Sequence, residues 1–346
     1  VARFLAITLV AGAHASGVFL WLAGRDSPWF VGYSAYYGVE LFFTLSGFLI
    51  GRLLFAVAAT DATPHGWLVF MARRWLRTLP LYLAWMLLIP VIWTAPDHYA
   101  AHLLRYATLT QNLAWPMPPD HWFPESWSLT VEEWFYLLFS ATLLGAVAAT
   151  RSGKVIWPVI GAFILVPTVV RSFIPSGGNF IDNIYHIALL RLDAIAYGVA
   201  LAKLEHQDSR LFRHPLLAGG AGLVLLALIL AQDVHGLGLP TTGVGLAHMQ
   251  LVAGSLALCL LLAGLLRLPE PAHPLAWSIS FVARISYGIY IMNVTILTKV
   301  IDTANHHGWG FRFMIPMSLA LILLLPALSW HFFEAPLLRL RPRQRR

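Results

Sequence analysis

The 346-residue chain is 58% hydrophobic and 11% charged, where soluble domains carry roughly 25% charged residues. One water-facing globule cannot hide so much apolar surface, so a soluble fold is excluded and an integral membrane protein is expected. The net charge of +7 does not indicate nucleic acid, because the basic residues are dispersed between apolar runs rather than gathered into a patch.

About 20 apolar residues cross a bilayer, and this measure predicts ten spans. They fall at residues 3–23, 36–57, 78–95, 127–149, 155–172, 187–204, 215–232, 246–266, 278–300 and 312–333. The expected fold is an all-α polytopic bundle forming one domain over residues 1–346, without internal repeats. The first run, "RFLAITLVAGAHASGVFLWLAG", has an internal histidine and continues into further spans, so it reads as a span and not a cleavable signal. A valine at position 1 implies a trimmed start or a few missing residues. With the N-terminus inside, fifteen Lys and Arg residues fall in inner loops and the tail, and five fall outside. That asymmetry predicts that both termini are cytoplasmic.

Taken in order, the spans contain residues that hydrocarbon does not tolerate without a partner, water or a task. Arg3 and His14 lie eleven residues apart on the first span. They share a helix face to within about 20° and are separated by roughly 16 Å along the axis. A mid-membrane histidine is either a packing residue satisfied by a neighbouring helix or a proton acceptor near neutral pH. In "YYGVELFFTLSGFLIGRLLF", Glu40 either pairs with an arginine or faces the cavity of His14. Ser46 and Gly47 there suit close helix approach. "MARRWLRTLPLY" begins the third span with Arg73 and Arg77 at i and i+4 and Arg74 beside them. That cluster reads either as positive-inside anchoring or as a phosphate clamp.

In "SWSLTVEEWFYLLF", Glu132 shares a face with Phe135, Tyr136 and Phe139, and Glu133 points about 100° away. Only one of the pair need look into a polar cavity: Glu132 reads either as that residue or as a hydrated interfacial acid, and Glu133 as facing the headgroups or a neighbouring helix. Arg191 and Asp193 in "RLDAIAYGVALA" are two residues apart and so are expected to pair with different helices. Trp115, Trp122 and Phe123 in the preceding outer loop suit a membrane interface better than sugar stacking. The lone cysteine, Cys259, lies in a span and excludes a disulfide framework or cysteine metal site. The fourteen histidines lack ligand spacing, so no metal is expected.

The spaced Arg and His of the first span are followed by "GVELFFTLSGFLI", "RRWLRTLPLY", "WSLTVEEWFYLL", "RLDAIAYGVALA", "ISYGIYIMN" and "FFEAP". In this order, from residue 3 to about 336, the motifs resemble the acyltransferase-3 family of bacterial membrane O-acyltransferases. The resemblance implies a ten-helix core in the bacterial cytoplasmic membrane. It further implies transfer of an acyl group, commonly acetyl, from cytoplasmic acyl-CoA to a hydroxyl of a carbohydrate or related acceptor. Acyl-CoA would be a donor substrate, and no permanently bound cofactor is implied. Matched by motif, Arg3 and His14 correspond to the family's Arg–His pair, and Arg73, Arg74 and Arg77 to its basic cluster. Trp127, Ser128 and Glu132 match the fourth-helix motif, and Glu334 the acid before the final proline. The sequence departs from the family pattern after "ISYGIY": Ile291, Met292 and Asn293 stand where many members end in an aromatic residue and a histidine. It also shows no appended hydrolase-like domain, so transfer is expected to finish in the membrane domain or pass to a separate protein.

The expected mechanism holds nucleotide phosphates at Arg3 and the arginine cluster while the pantetheine arm carries the thioester toward His14. His14 then acts as general base, with Glu132 or Glu40 fixing its tautomer, or His14 or Ser46 carries the acyl group covalently. A proton-coupled transporter with a His, Glu and Arg relay is the alternative from another class.

Overall fold

A computed structural model describes residues 1–93, 99–113, 122–174, 180–235, 244–269 and 272–342. Thirteen helices appear among them, in the order α1 (Ala2–Leu22), α2 (Trp29–Thr60), α3 (Pro64–Ile92), α4 (Tyr99–Ala107), α5 (Ser126–Thr150), α6 (Ile156–Ser172), α7 (Leu192–His206), α8 (Arg210–Arg213), α9 (Pro215–His235), α10 (Val244–Leu265), α11 (Leu275–His307), α12 (Phe311–Ser329) and α13 (Ala335–Leu338). No strand occurs among the described residues. The chain is an all-α polytopic helix bundle. Eight helices in the described residues are long and apolar enough to span a bilayer. Two of the ten predicted spans fall short of that measure. The span predicted at 187–204 opens in a 3₁₀ turn, Ala188–Leu190, and its α-helix begins only at Leu192. The described apolar part of the other, Gln250–Leu265, is 16 residues long and too short to qualify. Trp115, Arg343, Arg345 and Arg346 lie outside the described residues.

Exposed leucines and aromatics such as Leu216, Leu217 and Leu228 of α9 and Phe313 and Leu323 of α12 form the apolar exterior expected against lipid. Inside, glycines set the helix spacing. A methyl group on Gly47 would collide with the Ile195 carbonyl oxygen of α7, and one on Gly198 would strike the Thr44 carbonyl oxygen. These two helices therefore touch backbone to backbone, the packing that small residues permit where no hydrophobic drive joins helices. The same contact turns the neighbouring Ser46 away from α7, toward α5.

Two buried ion pairs fix the ends of this assembly. Arg191, at the start of α7, donates to Glu40 Oε1 of α2 at 2.5 Å. Arg171, at the end of α6, grips Asp193 with two bonds of 2.8 and 2.6 Å. Arg191 and Asp193 thus pair with different helices, as their spacing demands. Arg171, one of the five basic residues that the topology places outside, is fully buried and serves as a structural partner. Breaking a buried pair leaves an uncompensated charge. Arg171→Leu is therefore expected to destabilise the protein by about 3–5 kcal/mol, read as earlier unfolding in detergent. Adding Asp193→Leu should recover much of that loss.

Candidate active site

Two cavities lie along the bundle, and α1, α2, α5 and α11 line both; the one at the Arg3 end of α1 is called inner and the one at His14 outer. The inner cavity is narrow, about 90 Å³, and takes Arg3 from α1, Arg74 and Arg77 from α3, and Ser46 and Glu132 from α2 and α5. Ser46 donates to Glu132 Oε1 at 2.6 Å, which holds the carboxylate against α2. None of Arg3, Arg74 and Arg77 forms an ion pair among the described residues. Three guanidinium groups around one carboxylate leave the cavity positive, a setting that favours an anionic ligand with phosphate oxygens. The Arg74 guanidinium lies 4.3 Å above the Tyr136 ring, which fixes its direction. Outside the spans, Arg341 of the C-terminal tail approaches the same cluster. Burial, then the positive Arg73 and Arg74, lower its pKa from the ordinary arginine value.

The outer cavity is larger, about 430 Å³, within the usual range for small-molecule sites. It is lined by His14, by Tyr36 of α2, by Glu125 and Trp127 at the start of α5, and by Tyr185 and His186 before α7. The rings form a continuous floor: Tyr36 stacks on Tyr185 at 4.9 Å, and Trp127 lies 4.9 Å from Tyr185 and 4.5 Å from His186. Asn112 ties this floor together by donating to the carbonyls of Trp127 and His186. The Arg191 guanidinium backs it, 4.8 Å over the Tyr185 ring.

Half-buried His14 meets this cavity with its tautomer set by α11. The Asn293 amide nitrogen donates to the carbonyls of Ile289 and Tyr290 at 3.1 and 2.7 Å. That orientation turns Asn293 Oδ1, an acceptor only, toward His14 Nδ1 at 2.6 Å. In the neutral ring, Nδ1 must then carry the proton, and Nε2 keeps its lone pair. Next along α11, the Val294 N–H donates to Glu125 Oε1 at 3.1 Å, and Glu125 Oε2 has no hydrogen-bond partner among the described residues. A buried carboxylate oxygen left without a donor is rare in a folded protein and calls for a ligand or water.

The geometry changes several residue placements expected from sequence. His14 and Arg3 share a helix face but open on different cavities, so Glu132 shares its cavity with Arg3 and not with His14. Neither Glu132 nor Glu40 is the partner of the imidazole: Ser46 holds the first, Arg191 the second, and Asn293 takes the position instead. Among the arginines, Arg74 and Arg77 line the inner cavity, while Arg73 turns to the tail and donates to the Pro342 carbonyl at 2.6 Å. The i, i+4 pairing of Arg73 with Arg77 is therefore replaced by an i, i+3 pairing. Glu133 faces a neighbouring helix, accepting from Thr78 of α3 at 2.6 Å. Trp127 lines the outer cavity, and Ser128 lines the inner one beside Tyr290, with 2.6 Å between their hydroxyls. Glu334 is buried in a π-helical turn after α12, next to Ser329, and lines neither cavity. Phe123 and Trp122 pack on Tyr82 and Tyr106.

Asn293 and Glu125 are among the site residues that sequence reasoning missed, as are the aromatic residues Tyr36, Tyr185 and Tyr290. Asn293 was visible only as a departure from a motif, and Glu125 only as an acid in a proline-rich connector.

Residues 1–331 match the family model described as an acyltransferase domain. Among curated proteins, the chain is 25% identical to YrhL of Bacillus subtilis (strain 168), a protein provisionally named a peptidoglycan O-acetyltransferase. That match covers 87% of this chain and 50% of the relative. It is 22% identical to the peptidoglycan O-acetyltransferase OatA of Listeria monocytogenes serovar 1/2a, over 97% of this chain and 54% of the relative. The chain thus spans about half the length of the curated relatives it matches. No solved structure matches it.

Proposed function

The chain belongs to the acyltransferase domain family, and from that premise we propose that it moves an acetyl group from acyl-CoA to a carbohydrate hydroxyl across a bacterial cytoplasmic membrane. The acceptor class follows the relatives, which are named for peptidoglycan O-acetylation. In this reading the bundle crosses ten times with both termini cytoplasmic, so that the arginine-lined cavity opens inward. Arg74, Arg77 and Arg3 bind the phosphates at its mouth, and the narrow cavity admits only the slim thioester arm. The acceptor enters the wider cavity, its ring lying on the Trp127 and Tyr185 floor and a hydroxyl or amide N–H donating to Glu125 Oε2.

The observation that carries this reading is that His14 lines the acceptor cavity with Nδ1 engaged by Asn293, which leaves Nε2 as the nitrogen that can take a proton. His14 removes the acceptor hydroxyl proton as the oxygen attacks the thioester carbonyl. A C–O bond forms, the C–S bond of the tetrahedral intermediate breaks, and the proton held on His14 passes to the departing sulfur. Such positioned general-base catalysis contributes about 10²–10⁴-fold.

The test is purified protein in sealed vesicles given radiolabelled acetyl-CoA and disaccharide released from peptidoglycan by a muramidase. Label on the disaccharide supports the reading. Labelled acetyl-CoA or disaccharide crossing unchanged favours a transporter. The phosphate role predicts that Arg74→Ala, and separately Arg77→Ala, raises the Michaelis constant for acetyl-CoA about tenfold, the loss of one charge-assisted hydrogen bond. A change confined to the amount of inserted protein would instead mark the cluster as a topological anchor.

A further inference from the structure

Four helices, α1, α2, α5 and α11, line both cavities. On α1 the change falls between Arg3 and His14, and on α5 between Ser128 and Trp127. On α2 and α11 single residues, Val39 and Tyr290, line both cavities, and they alone do so among the described residues. Both are buried, 8% exposed each, and they stand where the two cavities adjoin. The Tyr290 ring is held from two sides. Its hydroxyl lies 2.6 Å from Ser128 Oγ, and Phe42 packs edge-on against it at 6.0 Å. Its backbone carbonyl accepts from Asn293, the residue that orients His14.

We propose that Val39 and Tyr290 form a septum that divides the bundle into two separately accessible chambers, with Tyr290 deciding what passes between them. An apolar constriction of this kind stops water and ions, which a continuous polar passage through the bilayer would leak. One hydrogen bond between neutral hydroxyls restrains the ring, a hold weak enough for a side chain to break thermally. Charged guanidinium groups lie on one side of the septum and the imidazole on the other. Where the proposed acyl transfer holds, the reacting carbonyl has to come past the Tyr290 ring to reach the acceptor oxygen. Tyr290 then sets the size of the acyl group as a positioning residue. The septum itself does not depend on that reading.

Cysteine accessibility tests it without donor or acceptor. Cys259, the single cysteine, is replaced by alanine, and one cysteine is introduced at Leu49 in the inner chamber or Ala35 in the outer. A charged, membrane-impermeant methanethiosulfonate is added to one face of sealed vesicles at a time. The septum predicts that Leu49→Cys reacts from one face only and Ala35→Cys from the opposite face only. Adding Tyr290→Ala should raise far-face labelling of Leu49→Cys at least tenfold, and Tyr290→Phe, which keeps the ring, should raise it less. Leu49→Cys reacting equally from both faces, both cysteines reacting from the same face, or neither reacting would overturn the proposal. So would unchanged far-face labelling in a Tyr290→Ala protein that unfolds at the wild-type temperature. If Tyr290→Ala does not fold, Val39→Gly opens the other half of the septum and is read in the same way. A failed acetyl-transfer assay beside one-sided labelling would count against the proposed activity and leave the septum standing.

Discussion

His14→Asn is expected to lower acetyl transfer about 10²–10⁴-fold while leaving the Michaelis constant for acetyl-CoA near its wild-type value. Asparagine is the informative replacement because its amide can still donate to Asn293 Oδ1, much as Nδ1 of the ring does. The helix contact survives, and what disappears is the second nitrogen that could take a proton. The arginines of the donor cavity are untouched, so donor binding should persist. A loss shared equally by His14→Asn and His14→Ala would locate the effect in the base. A loss seen only in His14→Ala would point to packing, and transfer at the wild-type rate in both would remove His14 from the reaction.

How much of this arrangement could be read from the sequence depends on how far each residue's partner lies along the chain. Glu132 and Glu133 separate correctly by helix pitch alone, because a 100° turn sends adjacent side chains to different surroundings. Arg191 and Asp193 are legible for the same reason as residues that must look outward for partners. Which partners they find is not legible: Glu40 is 151 residues from Arg191, and Arg171 resembles an ordinary loop charge. Pitch also placed Arg3 and His14 on one face, but it could not show that Val39 and Tyr290, from two other helices, close the space between them. The arginine cluster was legible as a cluster. What the sequence does not show is that Arg74 turns inward while Arg73 meets Pro342, in a tail 269 residues away. Asn293 is the extreme case. The sequence shows it only as a departure from a motif, and its significance arises only where α11 meets α1.

That meeting supplies the second large effect. Asn293→Leu removes the acceptor that holds the His14 ring with its proton on Nδ1, leaving that N–H unsatisfied and the lone pair on either nitrogen. Transfer is expected to fall about 10²-fold, toward the lower end of what a positioned base provides, with donor binding unchanged. Asn293→Asp should restore most of the rate, since a carboxylate oxygen accepts from Nδ1 as the amide oxygen does. The bonds to Ile289 and Tyr290 that Asp cannot make go to carbonyls already within the helix. A merely structural asparagine would not be rescued in this way. The decisive comparison is the double variant with His14→Asn: if Asn293 acts through the imidazole, removing both costs no more than removing His14 alone. Additive losses would mean that Asn293 contributes elsewhere, for instance through the Tyr290 carbonyl it also holds. Rates and thermal unfolding measured on the same preparations separate these outcomes, because only the catalytic role changes the first without the second.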